Sequence, residues 1–363
     1  MRNRRSTAQI GDVWSQGRIA HLRTLNSHSH PHSMSFRFEI DESSLKGIQR
    51  IAGERTDRVL RAVSKKRYPN PELIHQARKD LKSLRALLRL ARASMPDESY
   101  RKENTFFRDV GRSLSAARDR QVILEAIERL RGNPKKNAPA SRETRVHKII
   151  EQLRRRLQRE AGAKIPAQTL AGLPKELGEG HKRINHWFDG VLLNPAFEWD
   201  LFIGTGLRRI YKRGRKLLIQ FDAVGPENLS DETWHELRKF ARILGFQLRL
   251  LQPSWPRSLA PLLKECDQLA KKLGIDHDFA VLRARVLKEP AESQATADAQ
   301  KALIQAIDRR KRKLRGAALQ IARHLYSEKP RQFEQRLASY WHLWRKGGAE
   351  EVPASGRAGG SAS

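Results

Sequence analysis

Apolar residues recur at spacings of three and four along most of this chain, in segments built mainly from Leu, Ala, Arg, Lys, Glu and Gln. That period and that vocabulary belong to amphipathic helices. In the first half the pattern predicts helices over Asp41 to Lys66, Pro71 to Ala93, Tyr100 to Leu114, Arg118 to Leu130, Ser141 to Ala161 and Gly172 to Phe188. In the second half it predicts Trp199 to Phe221, Ser230 to Leu251, Pro256 to Lys272, Asp276 to Lys288, a long helix from about Glu292 to Glu328, and Arg331 to Arg345. Gly132 to Ala140 and Ala223 to Asn228 interrupt it with turn-forming residues. Phe36 to Ile40 is the one short strand-like piece. Residues 1–33 are rich in Ser, Arg and His, and 347–363 in Gly, Ala and Ser. Neither stretch has a periodic apolar face, so both are expected to be disordered tails, and Met34 is a candidate later start. The expected fold is all-α.

Two of these helices carry the same pattern. Asn70 and Pro71 open one, followed by His75, Arg78, Lys79, Lys82 and Arg89. Ser230 opens the other, and His235, Arg238, Lys239, Arg242 and Arg249 follow at the same offsets. Arg50-Ile51 precedes the first His at nearly the distance at which Arg209-Ile210 precedes the second. Downstream, Leu114-x4-Asp119-x2-Val122 is matched by Leu273-x4-Asp278-x2-Val281. Ordered landmarks of this kind argue for an internal duplication, dividing the chain into 36–195 and 196–346.

Positions three and four apart share a helix face, so His75, Arg78, Lys82, Arg85, Arg89 and Arg92 form one basic stripe. Leu73, Ala77, Leu81, Leu84, Leu88 and Ala91 form an apolar stripe beside it. A solvated helix face usually interleaves Glu with Lys, yet no acid occurs between Asp80 and Met95. Cations one turn apart can each take successive phosphates of a linear polyanion. The second stripe is thinner, because Gly245 stands where Arg85 would be. A further cluster, Arg208, Arg209, Lys212, Arg213, Arg215 and Lys216, lies in GLRRIYKRGRKLL, and its first-half counterpart carries Arg50 and Arg58 but includes Glu54. The runs Arg154 to Arg156 and Arg309 to Lys313 read more simply as solvated surface.

Charge sharpens this picture. The 363 residues hold 72 Lys and Arg against 40 Asp and Glu, a formal net charge of +32. Such an excess repels itself in a compact state and points to a polyanionic partner: nucleic acid, polyphosphate, sulfated sugar or anionic membrane. No run of 18 apolar residues exists, which excludes a membrane-spanning helix. One cysteine, Cys266, allows neither an intrachain disulfide nor a thiolate metal site and fits a cytoplasmic location.

Metal ligation at His75 or His235 would require a second ligand on the same face, and neither has one. Hydrogen bonding to phosphate suits both, as does satisfaction of a buried carbonyl. Asp119 and Asp278 sit beside Arg118 and His277 and read as partners for cations or as caps. Phosphate-binding glycine loops are missing, and no pair of acids has the isolation of a general acid and base, so no enzyme and no cofactor are expected. Nonspecific DNA or RNA binding is the alternative that charge alone allows. Aromatic residues, 7% of the chain, are sparse for a stacking platform, and the duplicated helix carries one only in its second copy, Phe246.

The duplicated H-x-x-R-K-x-x-K/R helix, followed by L-x-x-x-x-D-x-x-V, resembles the CHAD domain, the conserved histidine α-helical domain. GLRRIYKRGRKLL is similar to the basic helix opening that family's second half, and MSFRFEIDESSLKGIQRIAGE to the opening of its stand-alone members. The resemblance covers about Phe36 to Arg345. It implies two four-helix bundles related by pseudo-twofold symmetry around a basic cleft or pore that binds inorganic polyphosphate, in some members on polyphosphate granules. It also implies a set of binding residues: His75, Arg78, Lys79, Lys82, His235, Arg238, Lys239 and Arg242, flanked by Arg50, Arg208, Arg209, Lys212 and Arg213. The E-x-E-x-K signature of the triphosphate-hydrolysing domain to which some members are fused is not in this sequence.

Overall fold

The computed structural model describes residues 36–64, 71–115, 119–131, 140–159, 167–191, 197–290 and 293–350. The expected tail 1–33, most of the other tail, Asn70 as a cap and most of the Gly132 to Ala140 break lie outside them. All described residues belong to one compact unit, and among them regular structure is entirely helical. The helices are α1 Ser44–Ser64, α2 Pro71–Leu90, α3 Asp97–Ser113, α4 Asp119–Arg131, α5 Ala140–Arg159 and α6 Ala167–Ile184. They continue as α7 Thr205–Val224, α8 Asp231–Leu251, α9 Pro256–Leu287, α10 Gln294–Leu325 and α11 Pro330–Glu350. No described helix is long and apolar enough to cross a membrane.

Three expectations change. Phe36 to Ile40 is not a strand; Phe38 buries its ring against Trp341 while its N–H donates to the Leu250 carbonyl, a hydrogen bond that ties this segment to the end of α8. The two helices predicted over Pro256 to Lys272 and Asp276 to Lys288 are one continuous α9. α11 runs on to Glu350, past the predicted tail boundary at Gly347. The cap predicted at Ser230 carries the geometry expected: its hydroxyl accepts from the Thr233 N–H at 3.3 Å and starts α8.

The apolar period places the helices. α1 packs on α2 and α6, and α3 also packs on α2 and α6. α7 packs on α8, α8 on α9, and α9 on α10. α2 lies against α8, so the two helices with the shared sequence pattern meet, and Gln247 Nε2 donates to the buried Ala86 carbonyl across their contact at 3.3 Å. α2 is more buried than a two-stripe helix would be: Leu81, Leu84, Ala86, Leu87, Leu88 and Leu90 are all sealed, because α1, α3, α7 and α8 surround it. Gly206 of α7 touches the Leu90 end of α2 so closely that a Cβ there would stand 2.0 Å from the Leu90 carbonyl oxygen.

The apolar residues form two clusters. The larger joins α1, α2, α3, α6, α7, α8 and α11 with the first half of α9 and the last part of α10. The smaller joins α4 and α5 with the second half of α9 and the first half of α10, through Ile127, Leu153, Phe279, Leu282 and Leu303. At the junction, buried Lys311 and half-buried Arg315 of α10 hold Asp231 of α8, and Arg315 also holds Asp276 of α9 at 2.9 Å. These charges are paired where three helices converge, which makes their desolvation tolerable.

Candidate functional site

Side chains at three- and four-residue spacing on α2 emerge in a row, and the α2–α8 contact sets a second row beside the first. The result is a cleft of about 400 Å³ lined by Arg78, Lys82, Arg85 and Arg89 of α2 and by His235, Arg238, Lys239, Arg242, Ile243 and Phe246 of α8. Its far wall is Val122 of α4 with His277, Asp278 and Val281 of α9. Among the described residues, seven Arg and Lys side chains and two imidazoles thus share the cleft with one carboxylate, Asp278. That carboxylate already accepts from Arg129 Nη1 at 2.8 Å.

Crowding like charges in a half-desolvated groove penalises their charged forms. Burial pushes the Arg85 guanidinium down to about 10, and the adjacent Arg89 adds to the depression. Burial lowers Arg89 as well, and the charge of Arg213 on α7 works in the same direction. Arg85 Nε donates to Asn104 Oδ1 at 3.1 Å and Arg89 Nη1 to the Arg85 carbonyl at 2.8 Å, so neutral acceptors position both without cancelling their charge. His235 and His277 are likewise lowered, by burial first; His277 and Arg238 then act against His235, and Arg238 against His277. An anion entering the cleft would offset the like-charge part of these penalties.

The basic surface continues out of the cleft. Beyond Arg89 come Arg213, whose guanidinium lies 5.9 Å from the centre of the Phe240 ring, and Arg209, which is lowered by burial and then by Arg92 and Arg213. Lys212 and Lys216 are exposed on the same helix. Among the described residues no group of three or more His, Cys, Asp or Glu is arranged to hold a metal ion.

Several residues singled out by the sequence lie elsewhere. Arg50 is held by Glu42 at 2.7 Å and Glu54 at 3.1 Å, with Glu39 at 3.7 Å, and does not line the cleft. Arg58 turns to the buried Asp80 at 3.2 Å. Arg249 pairs with Asp267 at 2.8 Å and borders a separate groove between α8 and α9. Arg215 donates to the Tyr326 and Ser327 carbonyls at 2.6 and 2.9 Å, and Arg208 approaches Glu334 at 3.9 Å. His75 and Lys79 are exposed and are not lining residues. The side chain of Asp119 lies outside the described residues. Conversely, Ile243 and His277 line the cleft, although the repeat marks neither: the first-half equivalents are Ser83 and Arg118. Val122 and Val281, seen in the sequence only as landmarks, line the same space.

The CHAD domain family model matches residues 50–287, about two thirds of the chain. A crystal structure of the CHAD domain from the plant Ricinus communis is similar in fold, with a TM-score of 0.50 and 19% identity over 83% of this chain and 97% of that one. No curated protein matches the chain. With an all-helical fold, and with the model covering both basic helices and the cleft between them, the chain belongs to the CHAD domain family.

Proposed function

We propose that this protein binds inorganic polyphosphate in the α2–α8 cleft, as a non-enzymatic capture protein whose two halves arose by duplication. Membership of the CHAD family supports a polyphosphate-binding role in general. The observation that carries the reading is the lining: among the described residues it has seven Arg and Lys side chains and one carboxylate, which Arg129 holds. Each phosphate would be taken by one or two guanidinium, ammonium or imidazole groups, with counterion release supplying much of the affinity. A flexible polymer could continue from Arg89 along Arg213, Arg209 and Arg92. Residence on polyphosphate granules would follow from the same affinity.

Nucleic acid is the rival ligand. A single-strand binder offers aromatic faces to bases, whereas Phe246 is only 8% exposed and sits edge-on to Phe36 at 5.9 Å. Competition separates the two. Protein loaded with labelled long-chain polyphosphate should keep it when duplex DNA, RNA or heparin is added at equal anionic charge and physiological salt. Displacement by DNA would overturn the reading. Phosphate release with Mg²⁺ should stay at background, and turnover would refute the non-enzymatic part.

A further inference from the structure

His235 of α8 and His277 of α9 are in ring contact inside the cleft, with centroids 4.8 Å apart and planes tilted by 45°. Two imidazoles this close disfavour each other's charged form, and an anion against them reverses that penalty. Four of the five carboxylates around them are held by cations. From α8, Asp231 is held by Lys311 and Arg315, and Glu236 by Lys239 at 2.6 Å, while Glu232, one turn before His235, favours that ring's charged form. From α9, Asp276 is held by Arg315 and Asp278 by Arg129 of α4. The other charged groups lining the cleft among the described residues are cations: Arg238, Lys239 and Arg242 of α8, and Arg78, Lys82, Arg85 and Arg89 across the cleft on α2. Arg238 is brought in by a missing side chain, since its Nη2 lies where a Cβ on Gly274 would be only 3.3 Å away, one turn before His277. His235 Nδ1 is buried and has no hydrogen-bond partner.

We propose that His235 and His277 form a proton-coupled anion subsite: a phosphate of the polymer binds between them and Arg238 as the imidazoles take up protons, and leaves as they lose them. The proposal rests on polyphosphate being the ligand of the cleft. With the cleft empty, burial and neighbouring cations keep both rings neutral near pH 7. A bound polyanion reverses the electrostatic sign, so protonation and binding reinforce each other. Affinity should therefore rise as pH falls through the histidine range and level off above it.

The test is the affinity for long-chain polyphosphate at fixed ionic strength from about pH 8 to about pH 5.5. Interior phosphates of a long polymer keep one charge over this range, so the protein alone titrates. The native chain should bind roughly tenfold or more tightly at the acid end, the equivalent of a one-unit shift in one histidine. The pair His235→Gln and His277→Gln should keep less than about a third of that gain on a logarithmic scale, while His186→Gln, an exposed histidine far along the chain, should keep all of it. As a check independent of variant folding, calorimetry on the native chain near pH 6.5 in buffers of different ionisation enthalpy should show net proton uptake on binding. Binding without proton uptake, or a double variant with the full native slope, overturns the subsite and leaves polyphosphate binding standing. No binding at any pH overturns both.

Discussion

Gly245 lies against Cys266, so near that a Cβ on the glycine would stand 3.1 Å from the Cys266 Cβ. Gly245 occupies the position in α8 that Arg85 occupies in α2. Arg85 points into the cleft, whereas its counterpart is sealed between α8 and α9. The cleft is accordingly asymmetric, with Arg85 and Arg89 contributed by one helix alone. A burial contact, and not erosion of a binding stripe, explains the glycine.

Replacing Gly245 with Arg therefore should not restore a missing ligand contact. The side chain would have to force its way into a packed interface against Cys266, where the nearest carboxylate, Asp267, is already held by Arg249, at a cost of several kcal/mol, and the thermal midpoint should fall by roughly 8 °C or more. Thermal unfolding followed by circular dichroism checks this. A variant with native stability and tighter polyphosphate binding would show that position 245 does face the cleft.

Asp80 is 1% exposed; its Oδ1 accepts from Arg55 Nη1 at 2.7 Å and Gln76 Nε2 at 3.2 Å, and Arg58 Nε lies 3.2 Å from its Oδ2 as an ion pair. Removing the carboxylate strands Arg55, itself nearly buried, so Asp80→Ala should destabilise by about 3–5 kcal/mol. Chemical denaturation measures it. Because this network turns away from the cleft, polyphosphate affinity of the folded fraction should stay within about twofold. A stability loss below about 1 kcal/mol would mean that the pair is solvated.

Much of the fold was legible because helices announce themselves by period. Ends were lost where tertiary contact overrides local signals. Gly274 reads as a break between two helices, but the chain passes straight through it, and its lack of a side chain makes room for Arg238. The site was legible where spacing alone decides direction, as for Arg78, Lys82 and Arg242. It was not legible for Arg50, whose partners Glu39 and Glu42 precede the helix and reach it only after folding, nor for Arg249, which the turn of α8 carries past the cleft to Asp267. His277 escaped because the first half has Arg118 there and the repeat gives no pairing to notice.

Affinity should fall steeply with salt. If the seven lining Arg and Lys side chains each neutralise one phosphate, the slope of log affinity against log salt should be about −5, by analogy with single-stranded nucleic acid. Fluorescence titration over a series of NaCl concentrations gives the slope. A value near −1 would mean that the cleft engages only one or two charges.

The central claim is that the α2–α8 cleft, and not diffuse positive charge, captures the polymer. Two triple variants of equal charge loss test it: Arg85→Ala, Arg89→Ala and Arg242→Ala inside the cleft, against Arg155→Ala, Arg159→Ala and Arg249→Ala outside it. Polyphosphate affinity, measured by titration at one salt concentration, should drop about 100-fold for the first set and less than about threefold for the second. Equal losses from the two sets would contradict the account.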